Sequence, residues 1–167
     1  MQLSVSLDGY TEGANHELDW HLVDDEFNAY AIELLRQTDV LIMGRKTYEL
    51  MAGYWPTATD NDPVVTEEMN RTRKLVFSRT LTTVAWENSR LRNAPGDGLL
   101  CVGGSTLAAE FLEQGLLDEL RIIMTPVLLG GGMTLLDGIR KRHPLRLLST
   151  RKFNSGSVVM IYEPRSR

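Results

Sequence analysis

The sequence predicts an α/β fold: a mixed, mostly parallel sheet flanked by helices, with an antiparallel hairpin at the C-terminal end. Two patterns carry this expectation. Short apolar runs alternate with segments of helical spacing from Leu3 to Thr125, and two β-rich stretches, 145 to 153 and 157 to 163, bracket the turn Asn154-Ser155-Gly156. Size is the third observation, because 167 residues at 43% hydrophobic and 24% charged suit one globular domain spanning 1–167.

Taken in order, Leu3, Val5 and Leu7 alternate with polar residues and meet Asp8-Gly9, a strand ending in a turn. Asp24 and Asp25 precede Phe27, Tyr30, Ala31, Leu34 and Leu35, which predicts a helix with an acidic first turn that ends near Gln37. Val40-Leu41-Ile42-Met43 is a buried strand closed by Gly44, and 46 to 52 form a helix stopping at Gly53. Residues 54 to 72 read as a loop with one short helix starting near Pro63. Lys74 to Ser78 and Thr83 to Trp86 are predicted strands, and 87 to 98 a polar, turn-rich connection. Leu99 to Val102 is a further strand, followed by the turn Gly103-Gly104-Ser105 and a helix that places Leu107, Ala108, Phe111 and Leu112 on one face before Gly115. Glu119 to Thr125 is a strand, and Gly130-Gly131-Gly132 a loop able to bring backbone N–H groups close to a ligand.

The formal charge of −4 and pI near 5.4 argue against nucleic acid as a partner, since phosphate-backbone binding needs a basic surface. Cys101 is the only cysteine and sits in an apolar run, so it is expected as a buried thiol in a cytoplasmic protein. Neither a signal peptide nor a stretch of membrane-spanning length is expected.

Two strand-to-helix junctions suit phosphate: Met43-Gly44-Arg45-Lys46-Thr47 and Val102-Gly103-Gly104-Ser105-Thr106. A helix N-terminus offers unpaired N–H donors and a partial positive charge, and glycine lets a ligand approach the backbone. Either junction alone reads first as a tight βα turn with a capping hydroxyl, and the two together point to phosphate. Ser78-Arg79-Thr80 follows a third strand and supplies a hydroxyl and a guanidinium of the kind that binds a ribose 2′-phosphate. A Walker loop and a G-x-G-x-x-G pattern are absent, Leu107 breaks the G-x-S-x-G elbow around Ser105, and His16, His21 and His143 lack triad or metal-ligand spacing. No metal is expected.

In order, Asp39 to Glu49 (DVLIMGRKTYE), Lys74 to Leu81 (KLVFSRTL) and Cys101 to Leu107 (CVGGSTL) resemble the dihydrofolate reductase-like superfamily. Ser6 to Gly9, Gly115 to Leu120 and Pro126 to Gly132 resemble the branch that holds the riboflavin-biosynthesis reductase, the RibD C-terminal domain. The resemblance implies NADPH as cofactor, a homodimer, and hydride transfer to a small pteridine-, pyrimidine- or sugar-derived substrate, as in 5-amino-6-(5-phosphoribosylamino)uracil reductase. By position it assigns Gly44, Arg45, Lys46 and Thr47 to the pyrophosphate side and Ser78 and Arg79 to the 2′-phosphate. Gly103, Gly104, Ser105, Thr106 and Leu107 fall to the pyrophosphate and nicotinamide ribose. Asp8, Trp20, Asn28, Gly131 and Gly132 are the substrate-side candidates, and Asp8 and Asn28 the catalytic ones. Asn28 stands where dihydrofolate reductases carry a carboxylate, and Gln2 where the riboflavin branch commonly has lysine. The alternative to an enzyme is therefore a non-catalytic NADPH-binding module or sensor, and a third reading is an interaction scaffold with degenerate cofactor loops. The deaminase H-x-E and C-x-x-C signature is also missing, which implies a reductase-like domain alone.

Overall fold

A computed structural model describes residues 1–92 and 104–165. The elements run β1 (Gln2–Ser6), β2 (Tyr10–Glu12), α1 (Asp25–Arg36), β3 (Val40–Gly44), α2 (Arg45–Tyr54), a 3₁₀ turn (Trp55–Thr57), α3 (Pro63–Arg71), β4 (Arg73–Phe77) and β5 (Ser89–Arg92). They continue with α4 (Ser105–Glu113), β6 (Leu120–Thr125), β7 (Met133–Thr134), β8 (Leu145–Lys152) and β9 (Val158–Pro164). The expected strand Leu99 to Val102, with Cys101 and Gly103, lies outside the described residues. The fold is mixed α/β, with parallel and antiparallel pairings in its sheets and helices in both parts. Two compact units form, one from Met1–Asp24 with Ser105–Arg167 and one from Asp25–Gly104.

In the unit 25–104, β3, β4 and β5 make a three-stranded parallel sheet in that order. Leu41, Met43 and Val76 are wholly buried and pack with Leu35, Tyr48, Val65, Met69 and Trp86 into one apolar core. Helix α1 starts with Asp25 and Glu26 and ends with Arg36, charges that complement its dipole at each end. Asp62 caps α3 by accepting from Val64 N–H at 2.8 Å, and Pro63 takes the first helical position, where no N–H is needed. Buried Glu68 on α3 accepts from Arg36 of α1 and from Arg71, and these guanidiniums, Arg71 first, hold its carboxyl below the ordinary value.

Three expectations need correction in this unit. Thr83 to Trp86 forms no strand, because the N–H groups of Ala85 and Trp86 donate to the Tyr48 hydroxyl at 2.8 and 3.0 Å instead of to a neighbouring strand. Ser89–Arg92, expected inside a turn-rich connection, is instead a strand paired in parallel with β4. Helix α2 runs on through Gly53, which faces solvent, to Tyr54, and passes directly into the 3₁₀ turn Trp55–Thr57. Tyr48→Phe should therefore lower stability by about 2 kcal/mol, since it strands two N–H groups at the edge of the core. Urea unfolding checks this, and a change below about 0.5 kcal/mol would show that water replaces the hydroxyl.

The other unit is built on a four-stranded sheet in the order β1-β6-β9-β8. β1 and β6 run parallel, while β6-β9 and β8-β9 are antiparallel, so the predicted hairpin over 154–156 is present. Leu3, Val5, Leu120, Ile122, Ile123 and Val159 supply its buried residues, and α4 buries Ala108, Ala109, Phe111 and Leu112 along one face. α4 ends in a left-handed turn at Gly115, where Leu116 N–H reaches back to the Phe111 carbonyl at 2.9 Å. A short antiparallel pair, β2 with β7, escaped the sequence reading.

Candidate functional site

The parallel register of β3 and β4 sets Gly44 opposite Phe77, so the residues that follow each strand emerge at the same carboxyl edge. In open α/β sheets that edge is where ligands bind. From β3 the chain turns directly into α2, whose N-cap Gly44 provides no side-chain cap. The backbone of Gly44 is ordinarily extended, and a Cβ there would meet nothing within 4 Å. Its lack of a side chain leaves the first-turn N–H groups of α2 open to an anion. Lys46 is exposed and Thr47 half-buried on that turn, whereas Arg45 is partly engaged by Glu49 at 2.8 Å.

From β4 the chain enters Ser78, which is buried, and its hydroxyl oxygen accepts from the N–H groups of Thr80 at 3.1 Å and Leu81 at 2.9 Å. Ser78 thus shapes the turn that presents Arg79, with Thr80 Oγ1 at 3.4 Å from its own hydroxyl. Arg79 is exposed and has no partner among the described residues. The sequence reading missed Arg92. It ends β5 at the same edge, opposite Phe77, and accepts the Ser78 N–H on its carbonyl at 3.2 Å while its side chain stays exposed. The carboxyl edge of the three strands therefore carries exposed Lys46, Arg79 and Arg92 together with the uncapped start of α2.

In the unit that holds β1, Asp8 follows that strand and its carboxylate accepts from Ser6 Oγ at 2.7 Å, Gly130 N–H at 2.8 Å and Leu129 N–H at 3.1 Å. These donors, the Ser6 hydroxyl first and then Gly130, hold Asp8 down at about 2. An acid so strong is ionised at neutral pH and holds no proton to give, so Asp8 pins the glycine loop and is not a proton donor. The stabilisation this gives is present above the ordinary 3.8 and is lost as pH falls through about 2. Asp8→Asn should melt earlier than the wild type at pH 7, and the difference should close between pH 4 and 2 in a thermal series.

Ser105, at the start of α4, is buried, and its hydroxyl donates to the Thr134 carbonyl at 2.9 Å and accepts from Asp137 N–H at 3.1 Å. The hydroxyl thereby ties α4 to the 134–137 segment. Thr106 is exposed, Leu107 half-buried, and Gly104 adopts φ 101°; Gly103 lies outside the described residues. Trp20 is buried, donates to the Glu17 carbonyl at 3.2 Å and meets His21 edge-on, so it packs rather than presenting a face. Burial pushes the His21 imidazole below its ordinary value. Asn28 is half-buried on α1, and its amide has no partner among the described residues. Gly131 is half-buried with open space about its Cα, and Gly132 presses against the Glu12 carbonyl.

The model of the RibD C-terminal domain matches residues 1–159. The chain belongs to the RibD C-terminal domain family. It is similar to the uncharacterized protein YyaP of Bacillus subtilis (strain 168), at 33% identity over 97% of this chain and 92% of the relative. Among solved structures it is similar to a pyrimidine reductase-like protein from Corynebacterium diphtheriae, with a TM-score of 0.71 at 11% identity, covering 99% of this chain and 91% of that one. It is also similar to a diaminohydroxyphosphoribosylaminopyrimidine deaminase/5-amino-6-(5-phosphoribosylamino)uracil reductase from Thermotoga maritima, with a TM-score of 0.69 at 16% identity. That match covers 98% of this chain and 55% of the other, and at such identities both likenesses show the fold. The RibD C-terminal fold of this chain is dihydrofolate reductase-like. Among the described residues no helix is long and apolar enough to cross a membrane, and no three His, Cys, Asp or Glu side chains come together as a metal site.

Proposed function

We propose that this RibD C-terminal domain protein is an NADPH-dependent reductase of a small pteridine-, pyrimidine- or sugar-derived substrate. The observation that carries the reading is the carboxyl edge of β3-β4-β5, which holds the open first turn of α2 together with Arg79 and Arg92, both exposed and without a partner among the described residues. That donor set fits a dinucleotide bearing a 2′-phosphate. The N–H groups after Gly44, with Lys46 and Thr47, would take the pyrophosphate, and Arg79 with Arg92 the 2′-phosphate. When bound, NADPH supplies the hydride; the protein contributes position and electrostatics. Asp8 serves by holding Leu129 and Gly130, which fixes the glycine loop.

One observation favours a second reading, a non-catalytic NADPH-binding module. Asp8 is locked in its ionised form, and Asn28 is an amide that cannot deliver a proton to the reduced atom. NADPH oxidation followed at 340 nm across ribosylaminopyrimidines, dihydropteridines and aldose-derived imines separates the two. Turnover with any member supports the reductase, while tight NADPH binding with none of them turned over supports the module.

A further inference from the structure

Outside the strand edges described above, charged side chains concentrate at the C-terminal end of α4. Glu113 closes the last turn, and a carboxylate there opposes the helix dipole, so it needs positive company. The 140–143 segment supplies it. Arg140 N–H donates to Glu113 Oε1 at 3.1 Å, His143 Nε2 lies 2.9 Å from the same oxygen, and Lys141 Nζ stands 3.7 Å from Oε2. These contacts, with His143 first, hold Glu113 down at about 2. The carboxylate thereby fixes one imidazole nitrogen and leaves Nδ1 of His143 without a partner among the described residues.

Beside this pair opens a cavity of about 480 Å³, lined by the end of α4, residues 141–144 and the last residues of β9. Its size falls in the range of small-molecule sites. Among the described residues no Phe, Tyr or Trp lines it, so it suits a polar ligand rather than a flat apolar one. Two of the three carboxylates in the wall are already paired, one of them by a cation outside it. Glu113 is satisfied by His143 and Lys141, and Glu163 by Arg146 of β8 at 2.9 Å. Arg142 and Arg165 line the cavity with no carboxylate partner among the described residues, against Asp118 alone on the acidic side. Arg165 is anchored by its backbone N–H to the Pro144 carbonyl at 2.9 Å, which keeps it beside the 141–144 segment.

We propose that this cavity is a second binding site, distinct from the nucleotide-binding edge, for a small metabolite bearing a phosphate or carboxylate group. Arg142 and Arg165 grip the oxyanion, since a guanidinium fork makes two parallel hydrogen bonds to either group. His143, oriented by Glu113, presents Nδ1 to the remainder of the ligand.

The test is calorimetric titration of the full chain with inorganic phosphate and with succinate, each against chloride at matched ionic strength. Three proteins are compared: wild type, Arg79→Ala, and the double variant Arg142→Gln/Arg165→Gln, whose changes are on exposed side chains. The proposal expects saturable binding of at least one probe that weakens at least about tenfold in the double variant and persists in Arg79→Ala. Phosphate alone identifies a phosphate site, succinate alone a carboxylate site, and either result supports the proposal. In parallel, the imidazole proton resonances of His143, assigned through His143→Asn, should move with the bound probe. Absence of saturable binding by both probes, binding unchanged in the double variant, or binding lost in Arg79→Ala would each overturn it.

Discussion

Gly132→Ala is expected to cost about 3 kcal/mol of stability, as overpacking against rigid backbone combines with a disfavoured φ. Gly132 holds φ 138°, and a Cβ built there would overlap the carbonyl oxygen of Glu12. The obstacle is main chain of β2, which pairs Glu12 with Met133 and cannot swing aside as a side chain would. Relief requires β2 and β7 to separate. Gly131→Ala is the matched control, because open space surrounds that Cα and its φ is ordinary; it should change stability by less than about 0.5 kcal/mol. Urea unfolding of the two variants decides the matter, and equal costs would contradict the close approach.

Lys74→Met carries the second large effect, about 3 kcal/mol once the pH reaches 10.5 and smaller at pH 7, with a pH dependence that identifies its origin. The Lys74 side chain is buried, with Nζ donating to the carbonyls of Asn70 at 2.6 Å and Glu87 at 3.1 Å while standing 4.2 Å from the Trp86 ring centroid. Methionine fills the space but leaves the carbonyls short of a donor. Desolvation pushes Lys74 down to about 8 from its ordinary 10.5, and nearby Glu87 offsets this only in part. Between those values the unfolded chain binds the proton that the folded chain has released, so wild-type stability gains with rising pH. The methionine variant lacks that gain. The gap between the two proteins should therefore widen from pH 8 to 10.5, and a gap that stays constant or narrows would mean the amine is not desolvated.

Much of the fold was legible because strong local signals agreed with the tertiary result. Pro63 behind Asp62, the acidic start of α1, and Asn154-Ser155-Gly156 between two β-rich stretches each name their structure through backbone chemistry alone. β5 was not legible: Ser89-Arg90-Leu91-Arg92 carries one apolar residue, and its pairing comes from β4 rather than from its own composition. Thr83 to Trp86 misled in the opposite direction, since its β-prone residues surrender their N–H groups to a tyrosine 37 positions away in sequence. β2 and β7 are too short to show any period, and their association rests on the absence of a side chain at Gly132.

At the candidate site, residue type predicted place better than role. Gly44 and Lys46 lie where β3 passes into α2 and Arg79 follows β4 at the same edge, whereas the hydroxyl of Ser105 and the carboxylate of Asp8 are engaged within the chain and the Ser78 hydroxyl accepts two backbone N–H groups. Sequence does not reveal such consumption, because a hydroxyl near a turn bonds equally well to ligand or backbone. Arg92 went unnoticed for the same reason as its strand.

Titration of the purified protein with NADPH and with NADH, followed by quenching of tryptophan fluorescence and repeated with Arg79→Ala, tests the central claim most directly. The account predicts saturable binding with a clear preference for NADPH, and a loss of that preference by at least about tenfold in the variant while NADH binding is unchanged. Binding of neither nucleotide, or equal affinity for both in the wild type, would contradict it.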